Sequence, residues 1–71
     1  MNDNLKEAIP YIPVDVHNCL IRNGITDYKK LADMTDYDLS RLRYGCNIMK
    51  MMCYRDKARY YRDFQKKKEE P

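Results

Sequence analysis

Apolar residues recur at helical spacing along most of this 71-residue chain, with polar residues at the positions between them. Val16 and Leu20 predict a helix that begins near Pro13, whose fixed φ suits a first helical position. The helix is expected to end at Asn23, because the next residue, Gly24, readily adopts the left-handed conformation of a helix stop. The pattern therefore opens with a helix bounded by a proline and a glycine.

Two short helices are predicted next, each preceded by a threonine whose hydroxyl can cap it. Thr26 precedes residues 27–33, and Thr35 precedes a segment that starts at Asp36. Acidic residues open both segments, and the helix dipole favours negative charge in a first turn. Gly45 then marks another bend in the chain.

A long final helix is predicted from Asn47 to about Lys66, because no glycine or proline interrupts this stretch of roughly 20 residues. Its apolar residues form two strips. The first apolar strip consists of Met49, Cys53, Tyr60 and Phe64, with Met52 beside it. The second apolar strip consists of Met51, Tyr54, Ala58 and Tyr61. Two strips are more than a small core needs, so the second is interpreted either as core or as an exposed contact surface.

Together these elements predict one compact all-α domain of four or five helices with a long C-terminal helix. Residues 1–12 are expected to be an irregular lead-in, residues 13–66 the helical domain, and residues 67–71 a charged tail that frays. The lead-in is expected to pack three apolar side chains on the core: Ile9, Tyr11 and Ile12.

Composition supports a small folded domain and limits its possible functions. Hydrophobic residues make up 44% of the chain, which is enough for a core although 35% of the residues are charged. No apolar run approaches the roughly 18 residues that cross a bilayer, and the polar start of the chain is not a signal peptide. We therefore expect a cytoplasmic protein without a membrane partner.

Candidate catalytic chemistry is sparse. Cys19, Cys46 and Cys53 form no CxxC pair, so each is interpreted as a reduced core thiol rather than part of a disulfide or zinc site. The single histidine, His17, points away from Cys19 on a helix, which argues against a metal site. Without a Ser/His/Asp succession or a recognised phosphate loop, we expect no enzyme activity, no cofactor and no small-molecule substrate.

Charge is distributed unevenly along the chain. The net charge of +3 divides into −3 over residues 1–40 and +6 over residues 41–71. Four basic residues of the final helix recur at a spacing that places them on one face: Arg55, Arg59, Arg62 and Lys66. Arginines beside tyrosines can hold phosphate and stack on bases, which favours nucleic-acid binding without sequence reading. The alternative is an ordinary solvated helix face.

Several short motifs follow one another in a recognisable order. They are Asn18-Cys19-Leu20, Gly24-Ile25-Thr26, Leu31, Thr35, Asp38-Leu39 and Gly45. This succession resembles the C-terminal domain of the bacterial RNA polymerase alpha subunit over roughly residues 13–52. The resemblance implies a helix-hairpin-helix-like fold that binds the phosphate backbone of the DNA minor groove and contacts transcription factors.

The resemblance also implies candidate DNA contacts. Asn18 matches the family's DNA-contacting asparagine, and Gly45 matches the glycine that lets the final helix approach phosphate. We add Asn47, close to that glycine, to the candidate contact. Two helix amino termini brought together there would suit phosphate through their unpaired N–H groups. The family's DNA-contacting arginine falls on Asp15, whose charge would repel phosphate.

Two functions are therefore hypothesised. The leading one is a small DNA-binding or transcription-associated accessory protein that contacts phosphate through the residues matched above and the basic face of the final helix. The alternative is a protein-interaction module, such as a phage or mobile-element factor that binds or inhibits a host protein or forms a homodimer. Its contact residues would be those of the second apolar strip: Met51, Tyr54, Ala58 and Tyr61.

Overall fold

A computed structural model describes residues 3–69, which form five helices. They are α1 (Leu5–Ala8), α2 (Val14–Arg22), α3 (Tyr28–Ala32), α4 (Asp36–Ser40) and α5 (Ile48–Glu69). Within residues 3–69 there is no strand, only an isolated antiparallel bridge between Asn4 and Asp27. The predicted all-α domain with a long C-terminal helix is confirmed. The predicted charged tail begins inside α5, and its last two residues lie outside the described range.

Side-chain caps define where the short helices begin. The Thr35 hydroxyl accepts a hydrogen bond from the Asp38 amide, and the Asp38 carboxylate accepts one from the Thr35 amide, each at 3.1 Å. This capping box confirms the predicted start of α4. The prediction that Thr26 caps α3 is wrong, because Asp27 has the extended backbone of the cap and accepts from the Lys30 amide at 2.7 Å.

The lead-in is more ordered than expected. The Asn4 side chain accepts from the Glu7 amide at 3.1 Å and starts the short helix α1. Ile9 and Ile12 are buried as predicted, but Tyr11 is 95% exposed, so the prediction that it packs on the core is wrong. The Ile12 amide donates to the Ile9 carbonyl at 3.1 Å, and this turn carries Tyr11 outward between two inward-facing isoleucines.

The core lies between α5 and the shorter helices, with α3 making the most extensive contact with α5. Its largest fully buried side chains are Leu5, Val16, Leu20, Ile25, Leu31, Leu39 and Met51. Gly24 adopts φ +79° after α2, which confirms the predicted helix stop. Tyr44 and Gly45 both have positive φ, 72° and 67°, and together they form the bend before α5.

The cysteines differ from the expectation of three reduced core thiols. Cys19 of α2 and Cys46, just before α5, are joined by a disulfide with their Cα atoms 6.0 Å apart. Cys53 is a free thiol and is exposed. The pairing could not be predicted from the sequence, because the two cysteines are 27 residues apart and only the packing of α2 beside the α4–α5 connection brings them together.

In the range 3–69, no helix is both long and apolar enough to cross a membrane.

Candidate nucleic-acid interface

Three residues predicted to contact DNA line one surface pocket. Asn18 comes from α2, Gly45 from the α4–α5 connection and Asn47 from the residue before α5, and Arg22 and Lys50 line the same pocket. The tertiary structure therefore brings Asn18 of α2 next to Gly45 and Asn47, which lie about 30 residues later in the chain.

Asn23 fixes the connection that carries Gly45. Its side-chain amide donates to the carbonyls of Cys19 at 2.7 Å and Arg43 at 3.1 Å, and its amide oxygen accepts from the Arg43 N–H at 2.9 Å. Together with the Cys19–Cys46 disulfide, these bonds hold the bend against the end of α2. From the sequence, Asn23 is interpreted only as the end of a helix. Its position directly before Gly24 is the one sequence feature that could have indicated this structural role.

The start of α5 forms one wall of the pocket. The Asn47 side-chain oxygen accepts from the Lys50 amide at 3.2 Å, and its carbonyl accepts from the Met51 amide at 3.0 Å. Asn47 is thus the N-cap of α5, so the positive end of a 22-residue helix faces the pocket. Such an end attracts anions through its backbone N–H groups and dipole.

The charge of the pocket is positive but partly offset. Arg22 and Lys50 are exposed cations. The Lys50 ammonium lies 3.6 Å from a carboxylate oxygen of Asp15. Both side chains are more than half exposed, so this ion pair is weak and a stronger anion can displace the carboxylate.

Arg55 of α5 does not form the solvent-facing phosphate contact predicted for it. Arg55 is 7% exposed, and its guanidinium donates to the Met34 carbonyl at 2.9 Å, to Asp36 at 2.6 Å and to Asp56 at 2.7 Å. Burial acts to lower the pKa of Arg55, but the hydrogen bonds with Asp36 and Asp56 outweigh it and raise the pKa above its ordinary value. All three groups of the guanidinium fork are used inside the protein, which corrects the predicted role of Arg55.

Arg59 and Arg62 bind residues at the C-terminal end of α3. Arg59 donates to the carbonyls of Ala32 at 3.0 Å and Met34 at 3.3 Å, and Arg62 pairs with Asp33. Both arginines are half-buried. Cations suit the carbonyl-rich end of a helix, so these side chains close α3, and a phosphate contact by either arginine would compete with these internal partners. Lys66, the fourth basic residue of the face, is exposed.

The second apolar strip of α5 had two interpretations, core or exposed contact surface, and the structure supports the core. In the second apolar strip, Met51 and Ala58 are buried, and Tyr54 and Tyr61 pack against the core, so the prediction of an exposed contact surface there is wrong. The Tyr61 ring meets the Tyr28 ring edge to face at 5.1 Å. The first apolar strip is the exposed one, with Met49 81% and Tyr60 76% accessible.

No protein-family model, curated protein or solved structure matches this chain. The resemblance to the polymerase alpha C-terminal domain therefore stays a prediction that the residues themselves must support. Within the described part of the chain, no group of three or more His, Cys, Asp or Glu side chains is placed to hold a metal ion.

Proposed function

We propose that this protein binds the phosphate backbone of DNA through the pocket between α2 and the start of α5, as a small non-enzymatic accessory to transcription. The supporting observation is that Asn18, Gly45 and Asn47 line one pocket beside two exposed cations, Arg22 and Lys50. This role implies a cytoplasmic location, where the Cys19–Cys46 bond would be exposed to reduction.

The proposed contact combines three kinds of positive group. The start of α5 offers backbone N–H groups, Arg22 offers a planar fork that matches phosphate oxygens, and Lys50 offers a compact charge. These groups contact phosphate oxygens and carry no base-specific pattern, so we expect affinity without strong sequence preference. Tyr44 lines the same pocket and is 63% exposed, which makes its ring available to pack on a sugar.

Fluorescence anisotropy with a labelled mixed-sequence duplex tests this proposal. Binding through about two phosphates should weaken roughly tenfold between 50 and 200 mM salt, because each contact releases close to one counterion. Arg22→Ala combined with Lys50→Ala should weaken binding at low salt by at least about tenfold and remove most of the salt dependence.

The matched control is Lys57→Ala combined with Lys67→Ala, which removes the same charge from α5 outside the pocket. We expect this control to bind nearly as tightly as the unmodified protein. Equal losses in the two double variants would mean that DNA senses only net charge, and salt-independent binding would exclude a phosphate contact. Either result would refute the proposed site.

The alternative function, a protein-interaction module, has a structural basis different from the predicted one. The second apolar strip is largely used in the core, whereas the first apolar strip is exposed. A protein partner would therefore contact the first apolar strip of α5, not the second.

A further inference from the structure

The exposed face of α5 is apolar over several turns. Met49, Tyr60 and Phe64 are 81%, 76% and 48% exposed, and the free thiol of Cys53 lies between them. These residues fall within about 60° of one another around a helix of 3.6 residues per turn and extend over about 22 Å. Apolar side chains grouped in this way on a surface are typical of a contact site, whereas scattered ones are not.

A groove runs beside this face. The turn of residues 8–11 lines one side, and α5 lines the other, where Cys53, Asp56, Lys57 and Tyr60 are among the lining residues. Tyr11, 95% exposed, stands on the far rim. Tyrosines of this kind supply large contact area with a polar tip, and they are enriched in interfaces. A large, exposed aromatic ring therefore lies on the groove beside the apolar face.

Charges of both signs border this face of α5, but the acids are paired with arginines and the lysines are not. Asp56 and Asp63 each accept a hydrogen bond from the guanidinium of the preceding arginine, at 2.7 Å and 3.3 Å. Lys57, which lines the groove, forms no ion pair with a described carboxylate. The Lys68 ammonium lies over the Phe64 ring, 5.5 Å from its centroid. The side chains of Asp56 and Asp63 are 64% and 57% exposed, so the surplus of positive charge on this face comes from lysines that have no carboxylate partner among the described residues.

We propose that this face binds an acidic amphipathic helix of another protein, with apolar residues on Met49, Tyr60 and Phe64 and carboxylates beside Lys57 and Lys68. An exposed helix face about 22 Å long matches a helix of about four turns. A second copy of this chain fits less well, because it carries the same surplus of unpaired lysines on this face. None of these residues lines the DNA pocket, so this surface does not depend on the proposed DNA binding.

Two synthetic peptides test the proposal by fluorescence anisotropy. Both are 18-residue amphipathic helices with leucines on one face; one carries glutamates on the flanks and the other carries lysines. At physiological salt we expect the acidic peptide to bind at least about tenfold more tightly, a difference of about 1.4 kcal/mol. Equal binding of the two peptides, or no binding of the acidic peptide at about 1 mM, would overturn the proposal.

Variants locate the contact. Met49→Ser combined with Tyr60→Ser should weaken binding of the acidic peptide at least about tenfold. Tyr37→Ser removes an aromatic that is 66% exposed on α4 and should leave binding unchanged. Lys57→Glu should weaken the acidic peptide and strengthen the lysine peptide. An equal effect of Tyr37→Ser would place the contact elsewhere and contradict the proposal.

Two further measurements distinguish this surface from the proposed DNA pocket and from a site of self-association. The double variant Arg22→Ala and Lys50→Ala should bind the acidic peptide normally, whatever its effect on DNA. Sedimentation equilibrium should show a monomer. A dimer that Met49→Ser dissociates would assign the face to a second copy and overturn the proposed partner.

Discussion

The guanidinium of Arg55 donates a hydrogen bond of 2.9 Å to the carbonyl oxygen of Met34, which lies 21 residues earlier in the chain. The same side chain binds Asp36 at the start of α4. A single cation of α5 therefore ties together the residues that follow α3 and the first turn of α4. This bond explains why a run of arginines on α5, which suggests a phosphate surface, faces the protein.

We expect Arg55→Met to lower the free energy of unfolding by about 2–3 kcal/mol, because the Met34 carbonyl loses its shorter hydrogen bond and Asp36 loses its partner. Arg55→Lys should recover only part of this loss, since an ammonium cannot span three acceptors. Urea unfolding followed by circular dichroism measures both effects. Lys57→Met, an exposed change on the same helix, is the control and should stay within about 0.5 kcal/mol.

The capping box of α4 gives a second stability prediction. Thr35→Ala should destabilise the protein by about 1 kcal/mol, because the Asp38 amide loses its acceptor. Thr26→Ala is a matched control, since that threonine is exposed and Asp27 caps α3 in its place. Thermal unfolding of the two variants provides the comparison, and equal losses would contradict the assignment of caps.

The disulfide predicts the thiol content and a dependence on reductant. The unreduced protein should show one reactive thiol, that of Cys53, in a mass-spectrometric alkylation assay. Reduction should lower the free energy of unfolding by about 3.5 kcal/mol, because the bond closes a loop of 27 residues. Cys53→Ser should retain this dependence on reductant. Three reactive thiols in the unreduced protein would instead support the original expectation of reduced cysteines.

Asp15 provides a test of pocket electrostatics. Asp15→Asn should raise DNA affinity about threefold at low salt, because Lys50 loses its competing carboxylate and a negative charge leaves the pocket. Asp3→Asn makes the same charge change at the ion pair with Lys29, outside the pocket, and is the control. An increase of the same size in both variants would show that the gain is not local.

Tyr61 predicts a dependence of stability on alkaline pH. Burial raises the pKa of the Tyr61 phenol, and the neighbouring Glu7 carboxylate, which accepts its hydrogen bond at 3.3 Å, raises it further. The folded state thus holds this proton more tightly than the unfolded state. Its contribution to stability is complete below the ordinary pKa of 10.0 and is lost as the pH rises through the folded-state pKa.

Urea unfolding at pH 8 and at pH 10.5 measures this effect. The first pH lies well below the ordinary tyrosine pKa of about 10, and the second lies about half a pH unit above it. Tyr61→Phe should lose less stability over this interval than the unmodified protein. Tyr37→Phe, a change on the exposed face of α4, should behave like the unmodified protein. Identical pH dependence in all three proteins would mean that Tyr61 holds its proton no more tightly when folded.

The sequence by itself determined most of the helix positions. Periodicity placed α2 and α5, Gly24 ended α2, and Thr35 began α4, because each of these signals acts through neighbours within about four residues. The same local rules could not distinguish Thr26 from Asp27 as the cap of α3. Both residues favour N-cap positions, and the backbone path of the folded chain decides which of the two caps α3.

Only the tertiary structure decided which face of α5 is buried. Two apolar strips of similar size are nearly equivalent in sequence, but only the second lies beside arginines that reach the carbonyls at the end of α3. Those carbonyls need donors once they are removed from water, so packing and hydrogen bonding favour the same orientation. Packing also joined Cys19 to Cys46 and gathered Asn18, Gly45 and Asn47, since contacts between distant residues leave no local pattern in the sequence.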